Sequence, residues 1–415
     1  MITRAEADAV AAAWARSESA AGGREHRATV EKSGLGFAVK TAPAGGELSP
    51  SGVGTGVRVI DRATGRVSTW PNWPSGTLWE VYAERRGEVV DPPRTADPEV
   101  QLRREIHRRA APGVAAHATV QGRVYIARGA KGDQRLEHHR LVRERLAEQS
   151  PQETIRGCER HAELIVCSDA LHDVDRRRGL DGLPPLTLDE ARQVLGDSIF
   201  ETFQILEPGA EGAGEPNTPC ATCSYVLTQL ALLPWGATAA LVQDVAPERP
   251  NPDPARFSDL TAAELLNGRW KPETPARVRY GMAEVMAGDV VAAVAGEFRH
   301  EPFPAVYEAF ALTGKLLVKR RAPGRDQRVQ LFEIWSMPVR HTAGVLHEFG
   351  RVIGARLFPL GRVNFESVLA IDEHGRVFHL DQAGEWFVAD TYVEALETLI
   401  QGRRTFRVRD DGTWG

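Results

Sequence analysis

Arg160-His161-Ala162-Glu163 and Thr218-Pro219-Cys220-Ala221-Thr222-Cys223 are the two stretches on which the fold turns. In the second, Thr218 suits the N-cap of a helix and Pro219 its first helical position. Cys220 and Cys223 then fall three residues apart in the first turn, on one face. The positive end of the helix dipole favours thiolate, the form of cysteine that binds zinc. Val226, Leu227, Leu230 and Leu233 continue that face as a core stripe, and Pro234 and Gly236 end the helix. In the first stretch, Leu164, Ile165, Ser168 and Leu171 place His161 at the start of another helix with its own buried stripe. His161, Cys220 and Cys223 make three protein ligands. The fourth tetrahedral position is left for water, as a hydrolytic site requires, and the metal brings the pKa of that water toward neutrality. Glu163 stands two residues from His161, too close to point the same way in a regular helix, so it reads as a proton shuttle and not as a ligand.

The joint pattern, H-x-E followed by P-C-x-x-C, is the signature of zinc deaminases that act on nucleobases. In that chemistry Glu163 takes a proton from water and delivers it to the ring nitrogen and the leaving amine. A closed structural site is the alternative. Cys158 lies three residues before His161, so Cys158-x-x-His161 with Cys220-x-x-Cys223 would supply four ligands. Such a site has no need of Glu163 or Pro219. Cys158 therefore stays as an alternative ligand or a pocket wall, and Cys167 reads as a small buried hydrophobe.

The rest of the chain sets the frame. Its 415 residues are too many for one ordinary core, and a net charge of −5 lacks the basic surplus of a typical nucleic-acid binder. The four cysteines all lie in the central third, which favours chemistry over a disulfide framework. No stretch reads as a membrane span. The best one, Tyr225 to Val242, is broken by Gln229, Pro234 and Gly236. The start, Met1-Ile2-Thr3-Arg4-Ala5-Glu6, lacks a signal-peptide core, so a cytoplasmic protein without membrane contact is expected.

Proline-rich segments at Asp91–Pro98 and Pro247–Pro254 mark two boundaries. They divide the chain into 1–90, 97–245 and 255–415. The first part shows a capping box at Thr3 and Glu6, a loop from Pro43 to Gly56, and a hairpin from Gly56 to Trp70 about the turn Arg62-Ala63-Thr64-Gly65. The last opens on a second capping box at Thr261 and Glu264. It continues with a hairpin from Val368 to Leu380, and ends with a helix boxed by Thr391 and Glu394 and stopped by Gly402. In the middle part, strand candidates at 115–128 and 200–206 alternate with the two motif helices. The expected class is thus a mixed α+β and α/β multidomain chain, with a central α/β/α domain between two small α+β domains.

Other features carry less. Arg103–Arg109, Arg140–Arg145 and Arg176–Arg178 are basic runs that suit either phosphate contact or a solvated helix face. Asp173 to Ser198 is a long polar stretch, a substrate-shaping insertion or a plain surface excursion. Trp70, Trp73, Trp386 and Trp414 are candidate partner anchors or hairpin packing residues.

Taken together, Arg160-His161-Ala162-Glu163 and Pro219-Cys220-Ala221-Thr222-Cys223 resemble the cytidine-deaminase-like superfamily, and within it the YwqJ-related deaminases of bacterial polymorphic toxin systems. The resemblance covers about Asp97 to Val245. It implies Zn2+ held by His161, Cys220 and Cys223, Glu163 as the catalytic proton shuttle, and a nucleic acid base or nucleotide as substrate. The stretch between the motifs is longer than in free-nucleoside deaminases, which leaves the substrate open; a housekeeping nucleoside deaminase is disfavoured because such enzymes are usually small single domains without these flanks. The last part resembles the SUKH immunity superfamily through Leu357-Phe358-Pro359-Leu360-Gly361, the hairpin Leu369 to Phe378, and Glu394-Ala395-Leu396 before Leu399-Ile400-Gln401-Gly402. The first part is similar to small YrhB-like immunity proteins through Gly56 to Asp61 and Ser68-Thr69-Trp70. Immunity modules imply a toxin protein as partner. Two functions follow: a zinc-dependent hydrolytic deaminase in a toxin-immunity context, or a non-catalytic toxin-binding immunity protein whose zinc site is structural or decayed.

Overall fold

The chain divides into two units, Met1–Arg109 and Ala110–Gly415. In the computed structural model the described residues are 1–22, 24–45, 56–88, 94–107, 111–207, 210, 212–234, 250–292, 298–336 and 341–415. The loop expected at 43–56, the boundary at 91–98, the region near Gly236 and the linker at 247–254 lie partly or wholly outside them.

The first unit opens with α1 (Arg4–Gly22). The backbone N–H groups of Thr3 and Glu6 donate to each other's side chains at 2.8 and 3.2 Å, which is the expected capping box. Four antiparallel strands follow in spatial order: β1 (His26–Lys32), β2 (Gly36–Pro43), β3 (Val57–Asp61) and β4 (Val67–Trp70). The hairpin pairs Ile60 with Val67, and its turn is tied by Ala63 and Thr64 N–H groups donating to Asp61 Oδ1 at 2.8 and 2.9 Å. Gly65, at φ 68°, supplies the left-handed residue the turn requires. Phe37 and Val39 of β2 face one cluster with Val10 of α1, and Ala38 faces another with Leu78 and Tyr82 of α2 (Ser75–Glu88), as the strand period of two demands. Helix α3 (Pro98–His107) packs on α1 through Leu102 and Ile106. The helix within the stretch expected to open the central domain thus lies in this unit. Trp70 packs edge-on to Tyr82, and Trp73 joins the same cluster.

In the second unit, β5 (Gly113–Val120) lies between β6 (Arg123–Arg128) and a later strand, β7 (Ile199–Ile205), antiparallel to both. Burial alternates strictly along β5 because one face carries a helix. Before β7 come α4 (Arg140–Ala147), α5 (Ala162–Leu180) and α6 (Leu188–Gly196), and after it α7 (Ala221–Gln229). Helix α5 crosses β5 and β6 and meets α4 and α7. Its first three turns are buried all round, which is why its apolar content shows no clean stripe. The stretch 173–198 is the end of α5 plus α6, with Thr187 and Glu190 forming a capping box.

Helix α7 corrects an expectation. Thr218 is not its cap. Cys220 is, at φ −62° and ψ 165°, and its Sγ accepts from Cys223 N–H at 3.5 Å. The helix ends at Gln229, where Ala231 turns left-handed at φ 60°, so Leu230 and Leu233 lie past it.

The remaining chain adds α8 (Asp259–Asn267), α9 (Ala276–Ala292), α10 (Pro304–Thr313), β8 (Leu316–Val318), β9 (Phe332–Ile334), α11 (Ala343–Ile353), β10 (Leu357–Val363), β11 (Ser367–Asp372), β12 (Val377–Asp381), β13 (Gly384–Ala389), α12 (Tyr392–Gln401) and β14 (Phe406–Arg407). The strands form one antiparallel sheet in sequence order from β8 to β14. Both faces are covered. Leu369, Ile371 and Val377 face α8, α9, α10 and α12, while Val368, Phe378 and Leu380 face α11 and Trp414. The cap of α8 is Ser258, which accepts from Thr261 N–H at 3.4 Å, and not Thr261 as the spacing suggests. Thr391 caps α12, and Gly402 closes it at φ 64°.

Candidate metal centre

Two helix starts make the centre. His161 is the N-cap residue of α5, held extended at φ −74° and ψ 140° by a short 3-10 turn over Cys158–Arg160. Buried Arg160 anchors that turn, its Nε donating to Ala130 O at 2.7 Å. Cys220 caps α7, and Cys223 lies in its first turn. The two starts are tied by Ile155 N–H donating to the hydroxyl of fully buried Thr222 at 2.9 Å. Thr222 is the residue between the cysteines whose role the spacing left blank.

This geometry places His161 Nδ1 at 3.5 Å from Cys220 Sγ and 3.4 Å from Cys223 Sγ. All three ligand atoms lie within 4.8 Å of one another, and among the described residues they form the one such group that could hold a metal ion. Tetrahedral zinc bonds of about 2.05 Å to nitrogen and 2.3 Å to sulfur put those atoms about 3.6 Å apart, so the donor set and its spacing fit the ion. Cys158 is buried nearby but outside that group, and burial pushes its thiol well above the ordinary value. Cys167 is fully buried on α5, its thiol pushed up to about 12 by burial alone.

The charges follow from the crowding. Burial works against a charged His161, but the adjoining Cys220 thiolate outweighs it and holds the imidazole up at about 10. Cys220 is drawn down by the hydrogen bond from Cys223, against burial and with help from His161, while burial first of all pushes Cys223 up. The pair is thus an imidazolium beside one thiolate, poised to exchange a proton for a soft cation. Glu163 has no exposed surface, and neither carboxylate oxygen has a partner in hydrogen-bond geometry. Burial raises its carboxyl above the ordinary value, against the pull of His161. A buried, unsatisfied carboxyl is costly, and one beside a three-ligand cluster is suited to holding and passing a proton.

Other residues of the site come from far along the chain. Gln382 Oε1 accepts from Ala162 N–H at 3.1 Å. Glu366, on the β10–β11 turn, is pushed up to about 8 by burial, with the charges of Glu163 and Cys220 adding to it. With His379 and Asp381 these side chains line a cavity of about 40 Å3 that also touches His161 and Cys220. No spacing rule reaches them, because they lie on strand β12 and on turns of the sheet β8–β14.

The other candidates are placed elsewhere. Arg103 pairs with Glu6 and Glu99, Arg140 with Glu144, Arg145 with Glu148, Arg176 and Arg177 with Asp173, and Arg178 with Glu190. Arg103 and Arg140 are exposed and paired, while Arg145, Arg176, Arg177 and Arg178 are half-buried in their ion pairs. Trp386 is buried under Arg156, and Trp414 stacks on Phe387.

Comparison with known proteins divides the chain in three. Residues 98–232 match the family model of the YwqJ-like deaminases, residues 257–402 that of the SUKH-3 immunity proteins, and residues 5–88 that of the immunity protein 35-like domain. No curated protein and no solved structure matches the chain. No described helix is long and apolar enough to cross a membrane.

Proposed function

We propose that the chain is a zinc-dependent hydrolytic deaminase of a nucleic acid base or nucleotide, working in the cytoplasm within a bacterial toxin-immunity system. The observation that carries this is the three-ligand cluster of His161, Cys220 and Cys223 with the buried, unpartnered Glu163 beside it. A closed structural site has no use for such a carboxyl. Bound zinc would supply Lewis acidity that makes water a nucleophile near neutral pH. The chain's own residues do the rest. His161, Cys220 and Cys223 fix the ion, and Arg160 and Thr222 hold the two helix starts at ligand distance. Ala162 N–H offers a donor to a carbonyl or ring acceptor of the base. Glu163 takes the two protons of the attacking water in turn, passing the first to the ring nitrogen and the second to the leaving amine, so that water and an amino-heterocycle become an oxo-heterocycle and ammonia.

The three family matches support three modules, near 1–90, 97–245 and 255–415, and the outer two support a toxin protein as partner. The test is to load the chain with zinc and incubate it and Glu163→Ala with single-stranded DNA, RNA and nucleotide pools. Ammonia and a base change that Glu163→Ala abolishes carry the proposal; no turnover on any pool, either by the native chain or by variants that open the mouth of the site, sinks it.

A further inference from the structure

Glu366, His379, Asp381 and Gln382, which line the cavity opposite His161 and Cys220, belong to the segment matching the SUKH-3 immunity proteins. Gln382, at the β12–β13 turn, puts its carboxamide oxygen on Ala162 N–H, the backbone donor between the metal ligand and the proton shuttle. A carboxamide presents an acceptor beside a donor, the same polar edge that an amino-oxo heterocycle presents.

The contact is built on both sides. Arg156, just before the 3-10 turn, donates to Asp381 Oδ2 at 3.1 Å, bonds His379 and lies 4.4 Å above the Trp386 ring. Arg407 pairs with Asp133 at 2.6 Å and donates to Gly132 O at 2.6 Å, and Asp410 N–H donates to Asp133 at 2.9 Å. Two glycines permit the approach. A Cβ on Gly129 would lie 2.2 Å from Gln382 O, and one on Gly157 would lie 2.5 Å from Trp386 Cζ2. What remains, about 40 Å3, has room for a few waters and none for a heterocycle.

We propose that the C-terminal module is a built-in plug for the metal centre, with the end of β12, the 382–383 turn and Glu366 closing its mouth and the Gln382 side chain standing where the substrate stands. The module that matches an immunity protein thus has its partner in the same chain. The proposal rests on the deaminase reading for the word substrate, but the closure itself is steric and is read without turnover.

The experiment uses the full chain, reduced and metal-free, and follows alkylation of Cys220 by iodoacetamide with mass-spectrometric mapping. Zinc loss to a chelator from the loaded chain is the second readout. Two variants open the contact: Gln382→Ala, and Arg156→Ala with Arg407→Ala. Whichever keeps the native melting transition is used. At least a tenfold rise in Cys220 alkylation and in zinc loss is expected, together with turnover of a pool that the native chain leaves untouched. Native and opened chains reacting equally fast would overturn the plug. So would a native chain that turns over substrate as fast as the opened ones, and that result would leave the deaminase reading intact. Faster alkylation and zinc loss without turnover on any pool would uphold the closure and sink the deaminase reading.

Discussion

The two walls of the cavity are built by different means. One wall is His161 and Cys220, with Cys223 and Glu163 beside them, all within the cap or first turn of a helix, where fixed backbone geometry and dipole set spacing and charge. The other is Glu366, His379, Asp381 and Gln382, side chains on strand β12 and on sheet turns that reach the site because a seven-stranded sheet packs against it. The first wall is local and chemically specific. The second is assembled at long range from residue types that carry no motif. Loss of a member of the first wall should therefore abolish chemistry, while loss of a member of the second should change access.

The largest effect expected is on the first wall. Cys220→Ser or Cys223→Ser removes one of three ligands, and zinc content by elemental analysis should fall from near one per chain to near zero at equal protein concentration. Full occupancy in both would shift the ion to other ligands, with Cys158 the first to examine. Glu163→Gln keeps the ligands, so zinc content should hold while turnover drops on the order of 10²–10⁴-fold. If turnover instead survives in the glutamine variant, the proton has another route. Beneath the second wall, Phe378→Ala empties a fully buried site and should destabilise the second unit by about 3–5 kcal/mol in denaturant unfolding, with zinc content unchanged.

Two smaller effects sharpen the boundary between walls. His138 donates to Glu159 O beside the 3-10 turn and is held neutral by burial, its pKa lowered to about 4. An unfolded histidine binds its proton near pH 6.5, so between 6.5 and about 4 the unfolded state carries more protons and stability falls as pH falls. The loss is on the order of 3 kcal/mol across that window. Unfolding free energies against pH should show a shallower slope there for His138→Gln. Thr222→Val removes the tie to Ile155 N–H and should cost about 1–3 kcal/mol and weaken zinc retention without changing the ligand set.

Much of the first wall was legible in the residues. Cys220 and Cys223 share a face by helical spacing, because a helix start fixes where its cap and first-turn side chains point, and the H-x-E and P-C-x-x-C pattern joins His161 to them. The hairpins at Val57–Trp70 and Ser367–Asp381 were legible from turn chemistry. Caps were read less well. Ser258 and Cys220 replaced Thr261 and Thr218, since several residues near a helix start can accept from its N–H groups and packing chooses among them. Strands β1 and β2 were passed over, their polar-alternating and mixed sequences offering little contrast.

The residues by themselves determined the candidate metal cluster: two cysteines, an imidazole and a carboxyl at helix starts, together with the local elements that carry them. Only the tertiary structure decided what faces that chemistry. Gln382 and Glu366 reach it through sheet register, two glycine contacts and ion pairs across the second unit. Those are long-range terms, and a side chain's role there depends on where its backbone is carried and not on its neighbours in sequence.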